Sequence, residues 1–227
     1  MKYNIKNVIA LSLIPQIFVV KWLGGYPEFI ERYYSTGIYP LISGFWRILL
    51  GWIPFSVGDI LYALMILIAI GYIIVNRISI KKKPLIFIRD IGMTVSIIYF
   101  SFHLLWGFNY YREPLAKTLG LPEEHGRQDL LDLVDRLIIK TNEIHFQISG
   151  DTDSIIRIPY TKKEIFDLTL DGYRSLEKQF PIFAYRHPSI KKSVFSTPLT
   201  YMGYGGYLNP VTNEPQANSR LPNFRFP

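Results

Sequence analysis

Two long apolar stretches restrict the fold of this chain more than any other feature of its sequence. The first runs from Ser56 to Ile78 and the second from Ile88 to Tyr111. A helix that crosses a bilayer needs about 20 mainly apolar residues, and both stretches meet that length. The sequence therefore predicts membrane-spanning helices at about residues 56–77 and 89–110.

A shorter apolar run near the N-terminus, Val8 to Leu23, contains Pro15 and Lys21. It can span at about residues 7–23 if its lysine side chains extend toward the headgroups. A cleaved signal peptide would begin in a similar way, but no small-x-small cleavage site follows. We therefore expect a retained third helix and a membrane domain over residues 1–111.

The positive charge of the chain is concentrated beside these apolar stretches. Residues 1–111 contain ten Lys/Arg and four Asp/Glu, a net charge of +6, whereas residues 112–227 contain fifteen and fourteen, a net charge of +1. Membrane proteins place cations beside their spans, whereas nucleic-acid-binding proteins concentrate them on a soluble face. We expect the lipid bilayer as a partner and no nucleic acid. The absence of cysteine excludes disulfides and thiolate zinc sites.

The distribution of cations also predicts an orientation. Lys2 and Lys6 precede the first span, and Lys81–Lys83 lie in the predicted loop between the second and third spans. Positive loops stay in the cytoplasm, so residues 112–227 are expected on the outer face of the cytoplasmic membrane. The lysine cluster could instead bind lipid headgroups, but a topology signal is the simpler interpretation. His103, within the third span, could relay protons, although a hydrogen-bonded packing role is favoured.

The segment at about residues 26–54 is apolar but contains Arg47 and several prolines and glycines. A helix that lies in the outer interface fits this pattern. A fourth span would move the C-terminal half to the cytoplasm, but Arg47 at a helix centre would cost ~2.5–3.5 kcal/mol.

Residues 112–227 have the pattern of an α+β domain. The stretch that begins at Gln128 predicts an amphipathic helix, whose aspartates face solvent rather than a metal. Thr161 and Glu164 form a capping box for a second helix, which Pro181 ends. The remaining histidines, which are His125, His145 and His187, lack the spacing that places two imidazoles on one helix face.

Two short stretches predict strands, Ser193–Pro198 and Thr200–Pro210. Glycines inside the second are costly unless another backbone approaches closely, and an extended peptide added to a sheet edge would do so. The simpler alternative is a glycine-kinked turn in which tyrosines pack. The candidate peptide-binding residues are Gly203, Tyr204, Gly205, Gly206 and Tyr207.

The order of these features resembles a bacterial membrane family of unknown function, domain-of-unknown-function family 3810. The resemblance covers essentially the whole chain and is most specific in "WGFNYYREPLA" and in "YMGYGGYLNPVTNEPQAN". In that family the second motif leads into a helix with H-E-x-x-H, as in zincin metallopeptidases, in which two histidines hold zinc and the glutamate is a general base. The resemblance implies zinc in full-length members, a zincin-like outer domain, and Asn209, Glu214 and Asn218 as residues that support the cleft.

This sequence departs from the family at the catalytic motif. It ends at Pro227 after the apolar Phe224 and Phe226, and none of its histidines is followed by glutamate. We therefore expect a mainly α membrane protein, with three transmembrane helices followed by an incomplete α+β zincin-like domain, and no catalytic residue, metal ligand or cofactor. Such a chain would be a fragment or a natural inactive variant. The alternative is a non-enzymatic membrane protein that binds a peptide or partner through the strand edge; a transporter or channel component is disfavoured.

Overall fold

The fold is mainly helical, with one small sheet near the C-terminus. The structure is a computed structural model that describes residues 4–121, 126–156 and 159–220, with the side chains of Lys162 and Ile182 excepted. The helices and strands, in chain order, are α1 (Ile5–Leu11), α2 (Leu13–Gly24), α3 (Pro27–Phe29), α4 (Tyr39–Leu50), α5 (Val57–Lys82), α6 (Pro84–Leu105), α7 (Leu115–Thr118), α8 (Arg127–Ser149), α9 (Lys162–Gln179), β1 (Lys191–Lys192), α10 (Ser196–Tyr201), β2 (Gly206–Asn209) and β3 (Glu214–Ala217).

Three helical segments are long and apolar enough to cross a membrane within the described residues: α1 with α2, α5, and α6. Each of the three predicted spans thus overlaps a helix of sufficient length and hydropathy. Most of their apolar side chains are exposed, as lipid-facing residues must be. Polar side chains join the first segment to α6, because Gln16 Nε2 donates to Ser96 Oγ at 2.9 Å and the Ser12 and Ser96 hydroxyls lie 3.0 Å apart.

The turn between α5 and α6 is shorter than predicted. α5 continues to Lys82 and α6 begins at Pro84, so only Lys83 connects them. The expected loop from Arg77 to Arg89 is therefore wrong. Lysine and arginine are good helix formers, so the charged residues after Arg77 continue α5. Proline suits the first helical position, so α6 begins directly at Pro84.

The other end of α6 also differs from the prediction, because the helix ends at Leu105 and Gly107–Tyr111 form a 3₁₀-helix. His103 packs among aromatic rings near this end, and its Nδ1 lies 2.9 Å from the Tyr99 carbonyl oxygen. The predicted hydrogen-bonded packing role of His103 is confirmed.

The segment after the first span is helical from Pro27 to Leu50, and its middle, Ile30–Ile38, is a π-helix. It packs against the end of α6 through Tyr34, whose hydroxyl donates to the carbonyl oxygens of His103 and Leu104 at 3.1 and 3.0 Å. It is not one of the three segments that are apolar enough to span.

Both predicted helices of the C-terminal half are present as α8 and α9. The capping box is confirmed, since Thr161 N donates to Glu164 Oε2 at 2.7 Å and Glu164 N donates to Thr161 Oγ1 at 3.3 Å. α9 ends two residues before Pro181. His145 Nε2 lies 2.8 Å from the Ser154 carbonyl oxygen. His125, and the final residues that include Phe224, Phe226 and Pro227, lie outside the described residues.

The sheet has the strand order β1-β3-β2, with β1 parallel and β2 antiparallel to β3. The predicted strand Ser193–Pro198 is wrong, because Ser196 begins helix α10. A proline in the first helical turn lacks only an N–H that would be unpaired there, so Ser-Thr-Pro begins a helix readily. Within the predicted strand Thr200–Pro210, only Gly206–Asn209 is extended, because α10 ends at Tyr201 and a turn follows.

Candidate functional site: an edge strand held by buried polar side chains

The turn that joins β2 to β3 is built by asparagines. Asn209 Oδ1 accepts hydrogen bonds from Val211 N at 3.0 Å and Thr212 N at 3.2 Å, and Asn213 N donates to Asn209 O at 2.8 Å. Asn213 has a φ of 55°, which asparagine tolerates better than most residues. This turn fixes the register in which Tyr207 faces Gln216 and Asn209 faces Glu214.

One side of β2 is a free sheet edge. Gly205 O accepts a hydrogen bond from Asn218 N at 2.9 Å. Hydrogen-bonded and non-hydrogen-bonded residue pairs alternate along an antiparallel ladder, so every second pair of β2 and β3 after this one is hydrogen-bonded. The N–H and C=O groups of Gly206 and Leu208 therefore point away from β3. Within the described part of the chain, no backbone group pairs with them.

The candidate residues Gly203 to Tyr207 are divided between the turn and the strand. Gly203 has a φ of 77°, which a glycine adopts without strain. A Cβ on Gly206 would lie 2.5 Å from Gln216 O. The close backbone approach predicted here is thus made by β3 itself and does not require a separate peptide. Tyr204 is exposed, and Gly205 leads into β2.

Tyr207 connects β2 to a membrane-spanning helix. Its hydroxyl donates to Oδ1 of Asp59, which lies in the first turn of α5 and is only 1% exposed. Asp59 Oδ2 accepts from Ser193 Oγ at 2.8 Å and from Val194 N at 2.6 Å. Burial, and then the hydrogen bond to Asp59, raise the pKa of Tyr207 above its ordinary value of 10.0.

Lys191 makes a second buried connection, to the end of α4. Its ammonium donates to the carbonyl oxygens of Leu50 at 3.3 Å, Gly51 at 2.8 Å, and Ile53. These carbonyls lie at and just beyond the C-terminus of α4, where a cation is stabilised by the helix dipole.

The charge of Lys191 is balanced by Glu214 of β3. Lys191 Nζ lies 3.6 Å from Glu214 Oε1, and the two side chains are 6% and 0% exposed. Ser189 Oγ also donates to Glu214 Oε1. Removing one partner of a buried pair is strongly destabilising, so Glu214 acts as a structural anchor of the sheet.

Asn209 and Asn218 also have structural contacts. Asn209 packs against Gly58 of α5, where a Cβ would lie under 3.0 Å from the Asn209 amide. Asn218 Nδ2 donates to Thr200 Oγ1 at 2.9 Å and to Tyr204 O at 3.0 Å. The three residues carried over as cleft support therefore hold the sheet, α10 and α5 together.

Several buried polar atoms of this hairpin have no hydrogen-bond partner among the described residues. They are Asn209 Nδ2, Thr212 Oγ1, both side-chain polar atoms of Asn213, Glu214 Oε2, and both side-chain polar atoms of Gln216. A buried polar atom without a partner costs about 1–3 kcal/mol. This end of the sheet is therefore unusually rich in unused hydrogen-bonding groups.

The zinc implied by the family resemblance does not fit the described residues. No group of three His, Cys, Asp or Glu side chains comes together there. His103 is enclosed by aromatic rings, whereas His145 contacts the Ser154 carbonyl in the C-terminal half. No chemical step is therefore assigned to a metal.

Sequence reasoning does not predict the two residues that attach the sheet to α5 and to the end of α4, which are Asp59 and Lys191. The stretch Ser56-Val57-Gly58-Asp59 does carry a helix-start signal, and Ser56 Oγ accepts from Asp59 N at 3.0 Å. No local pattern marks the partner of either charge, because Ser193 lies 134 residues from Asp59.

Comparison with known proteins identifies one family. Its description is "Protein of unknown function (DUF3810)", and it matches residues 34–227, well over half of the chain. No curated protein and no solved structure shows a significant match.

Proposed function

The chain belongs to the DUF3810 family, and we propose that it is a membrane-anchored protein that binds an extended peptide along β2 without cutting it. The observation that supports this proposal is the free edge of β2, where Gly206 and Leu208 direct their amide and carbonyl groups away from β3. An added strand forms main-chain hydrogen bonds with such an edge, and neighbouring pockets select its side chains.

The position of β2 relative to α5 supports an outer location for this edge. β2 is attached near Asp59 at the start of α5, whereas Lys81 and Lys82 lie at its end. A helix of 26 residues is about 39 Å long, enough to separate the two ends by a bilayer. With the lysines in the cytoplasm, the C-terminal half lies on the outer face of the cytoplasmic membrane.

The resemblance to zincin metallopeptidases is compatible with this proposal. Peptidases of that type also align a peptide against an edge strand, so the edge would serve an enzyme and a binding protein alike. The hydrolytic step needs the H-E-x-x-H helix, and these 227 residues contain no such motif. We therefore propose that peptide alignment is present in this chain and that hydrolysis is absent.

The experiment compares two substitutions of one residue. Leu208→Pro removes an N–H that points to the free edge and leaves the β2–β3 hydrogen bonds in place, whereas Leu208→Ala shortens the side chain and keeps that N–H. A library of fluorescent decapeptides is tested by anisotropy against the protein in phosphatidylcholine nanodiscs. We expect peptides that bind wild type and Leu208→Ala but bind Leu208→Pro at least about tenfold more weakly, because main-chain bonds are lost.

Three results would contradict the proposal. The first is no binding by any library member, and the second is equal binding by the proline variant. The third is cleavage of the peptides by the purified chain that a chelator blocks; this would favour the enzymatic alternative over the binding protein. Equal melting temperatures of the two variants would show that the proline left the sheet folded.

A further inference from the structure

A cleft of about 780 Å³ lies beside the hairpin. One wall is α4, and another is the stretch Ala184–His187. Leu208, Asn213 and Pro215 of the hairpin close it. The cleft is therefore bounded both by the segment next to the membrane spans and by the C-terminal domain.

Three arginines line the cleft, and none of its lining residues among those the structure describes is acidic. The arginines are Arg47, Arg112 and Arg186. Arg112 is neutralised by Glu31, with 2.7 Å between Nη2 and Oε1. The guanidinium groups of Arg47 and Arg186 have no acidic partner among the described residues.

Arg47 is held in place from two sides. Its Nε donates to the carbonyl oxygen of Arg186 at 3.2 Å, and its guanidinium carbon lies 5.2 Å from the centre of the Tyr185 ring. These contacts use only one of its five N–H groups, so the others can bind an anion. A guanidinium that is already ordered loses less entropy when it binds a ligand.

Asn213 supplies an independent observation that points to a ligand. It lines the cleft and is 1% exposed, and neither its Oδ1 nor its Nδ2 has a partner among the described residues. Its backbone is fixed by the turn, with Asn213 N bonded to Asn209 O at 2.8 Å. A buried amide of this kind is stabilised by a polar ligand group in the cleft.

The remaining wall of the cleft is apolar and continues onto the exposed surface of α4. Leu41, Phe45 and Ile48 line the cleft and are 74%, 59% and 61% exposed. The ligand best suited to this wall carries both a negative charge and a long apolar chain. A free inorganic anion would leave these side chains in contact with water.

We infer that this cleft binds an anionic phospholipid, with the phosphate group at Arg47, Arg186 and Asn213 and an acyl chain along Leu41, Phe45 and Ile48. Arginine binds phosphate through parallel, charge-assisted hydrogen bonds. Basic pockets beside membrane helices bind lipid headgroups in this way. The inference does not depend on peptide binding by β2.

The test measures lipid retained by the purified protein. Wild type is reconstituted in nanodiscs of phosphatidylcholine mixed with phosphatidylglycerol, transferred to neutral detergent, and examined by native mass spectrometry. We expect one phosphatidylglycerol molecule to remain bound. The Arg47→Gln/Arg186→Gln variant should retain about tenfold less or lower still, because it loses charge-assisted hydrogen bonds. The matched control, Arg136→Gln/Arg174→Gln, removes the same charge from α8 and α9 and should retain the wild-type amount.

The single variant Arg186→Gln provides a second measurement, because Arg186 is exposed and its backbone carbonyl can still accept from Arg47. It should fold as wild type does and lose part of the lipid. Equal retention of phosphatidylcholine and phosphatidylglycerol, or an equal loss in the control variant, would overturn the inference. A stabilisation by inorganic phosphate in phosphatidylcholine nanodiscs, without any preference for phosphatidylglycerol, would also overturn it and identify a free anion as the ligand.

Discussion

Asp59, in the first turn of a membrane-spanning helix, accepts a hydrogen bond from the hydroxyl of Tyr207, 148 residues later in an edge strand. The same carboxylate binds Ser193 Oγ and Val194 N. One buried side chain thus attaches the sheet to the start of α5, so the position of the proposed peptide-binding edge depends on it.

Asp59→Asn should loosen this attachment. Hydrogen bonds to a charged group contribute about 1.5–3 kcal/mol, and the amide can accept through only one atom. We expect a lower melting temperature and faster hydrogen exchange at the amides of β2 and of Val194. The control is Glu143→Gln, which changes an exposed ion pair on α8 and should leave both unaffected. Unchanged exchange in Asp59→Asn would show that the carboxylate does not hold the sheet.

Tyr207 should make the stability of this region sensitive to alkaline pH. Burial and the Asp59 hydrogen bond raise its pKa above 10.0 in the folded state, so the folded protein holds the phenol proton more tightly than the unfolded chain. The stabilising contribution is complete below pH 10.0 and is lost as the pH rises above it. The melting temperature of wild type should fall over this range more steeply than that of Tyr207→Phe. Tyr204→Phe, which removes an exposed hydroxyl, should keep the wild-type slope.

Lys191→Met should destabilise the protein because it leaves the Glu214 carboxylate buried without its cation and removes the hydrogen bonds to the carbonyls of Leu50, Gly51 and Ile53. Breaking a buried ion pair costs about 3–5 kcal/mol. Chemical unfolding in detergent measures the loss. The neighbouring Lys192→Met is the matched control, since Lys192 is exposed and its Nζ lies 5.4 Å from the centre of the Phe166 ring. Equal stability of the two variants would contradict the structural role of Lys191.

Gly58→Ala and Gly71→Ala, both in α5, should have different effects. A Cβ at Gly58 would collide with the amide of Asn209, whereas a Cβ at Gly71 would meet no atom of another described segment within 4 Å. Alanine is favoured over glycine in a helix by about 1 kcal/mol, so Gly71→Ala should be neutral or stabilising. Gly58→Ala should lower the melting temperature and displace β2. Equal melting temperatures would refute close packing between α5 and the hairpin.

The features that were predicted correctly from the sequence are those determined by residues that are close together along the chain. The apolar runs define the spans because a bilayer demands one uninterrupted stretch, and the Thr161–Glu164 capping box is complete within four residues. The strand prediction at Ser193–Pro198 is wrong because the helix-start signal in Ser196-Thr197-Pro198 outweighs the strand preference of the neighbouring residues. The attachments of the sheet to α5 and α4 could not be predicted, because Asp59 lies 134 residues from Ser193 and Lys191 lies 140 residues from Gly51.

The direct attachment of the sheet to α5 limits where β2 can reach. No linker separates Tyr207 from the first turn of the helix, so the edge strand cannot move away from the start of α5 while the Asp59 carboxylate is buried. A chain that pairs with β2 must therefore reach the bilayer surface. Partners whose extended segment stays farther from the lipid would be excluded, whatever their side chains.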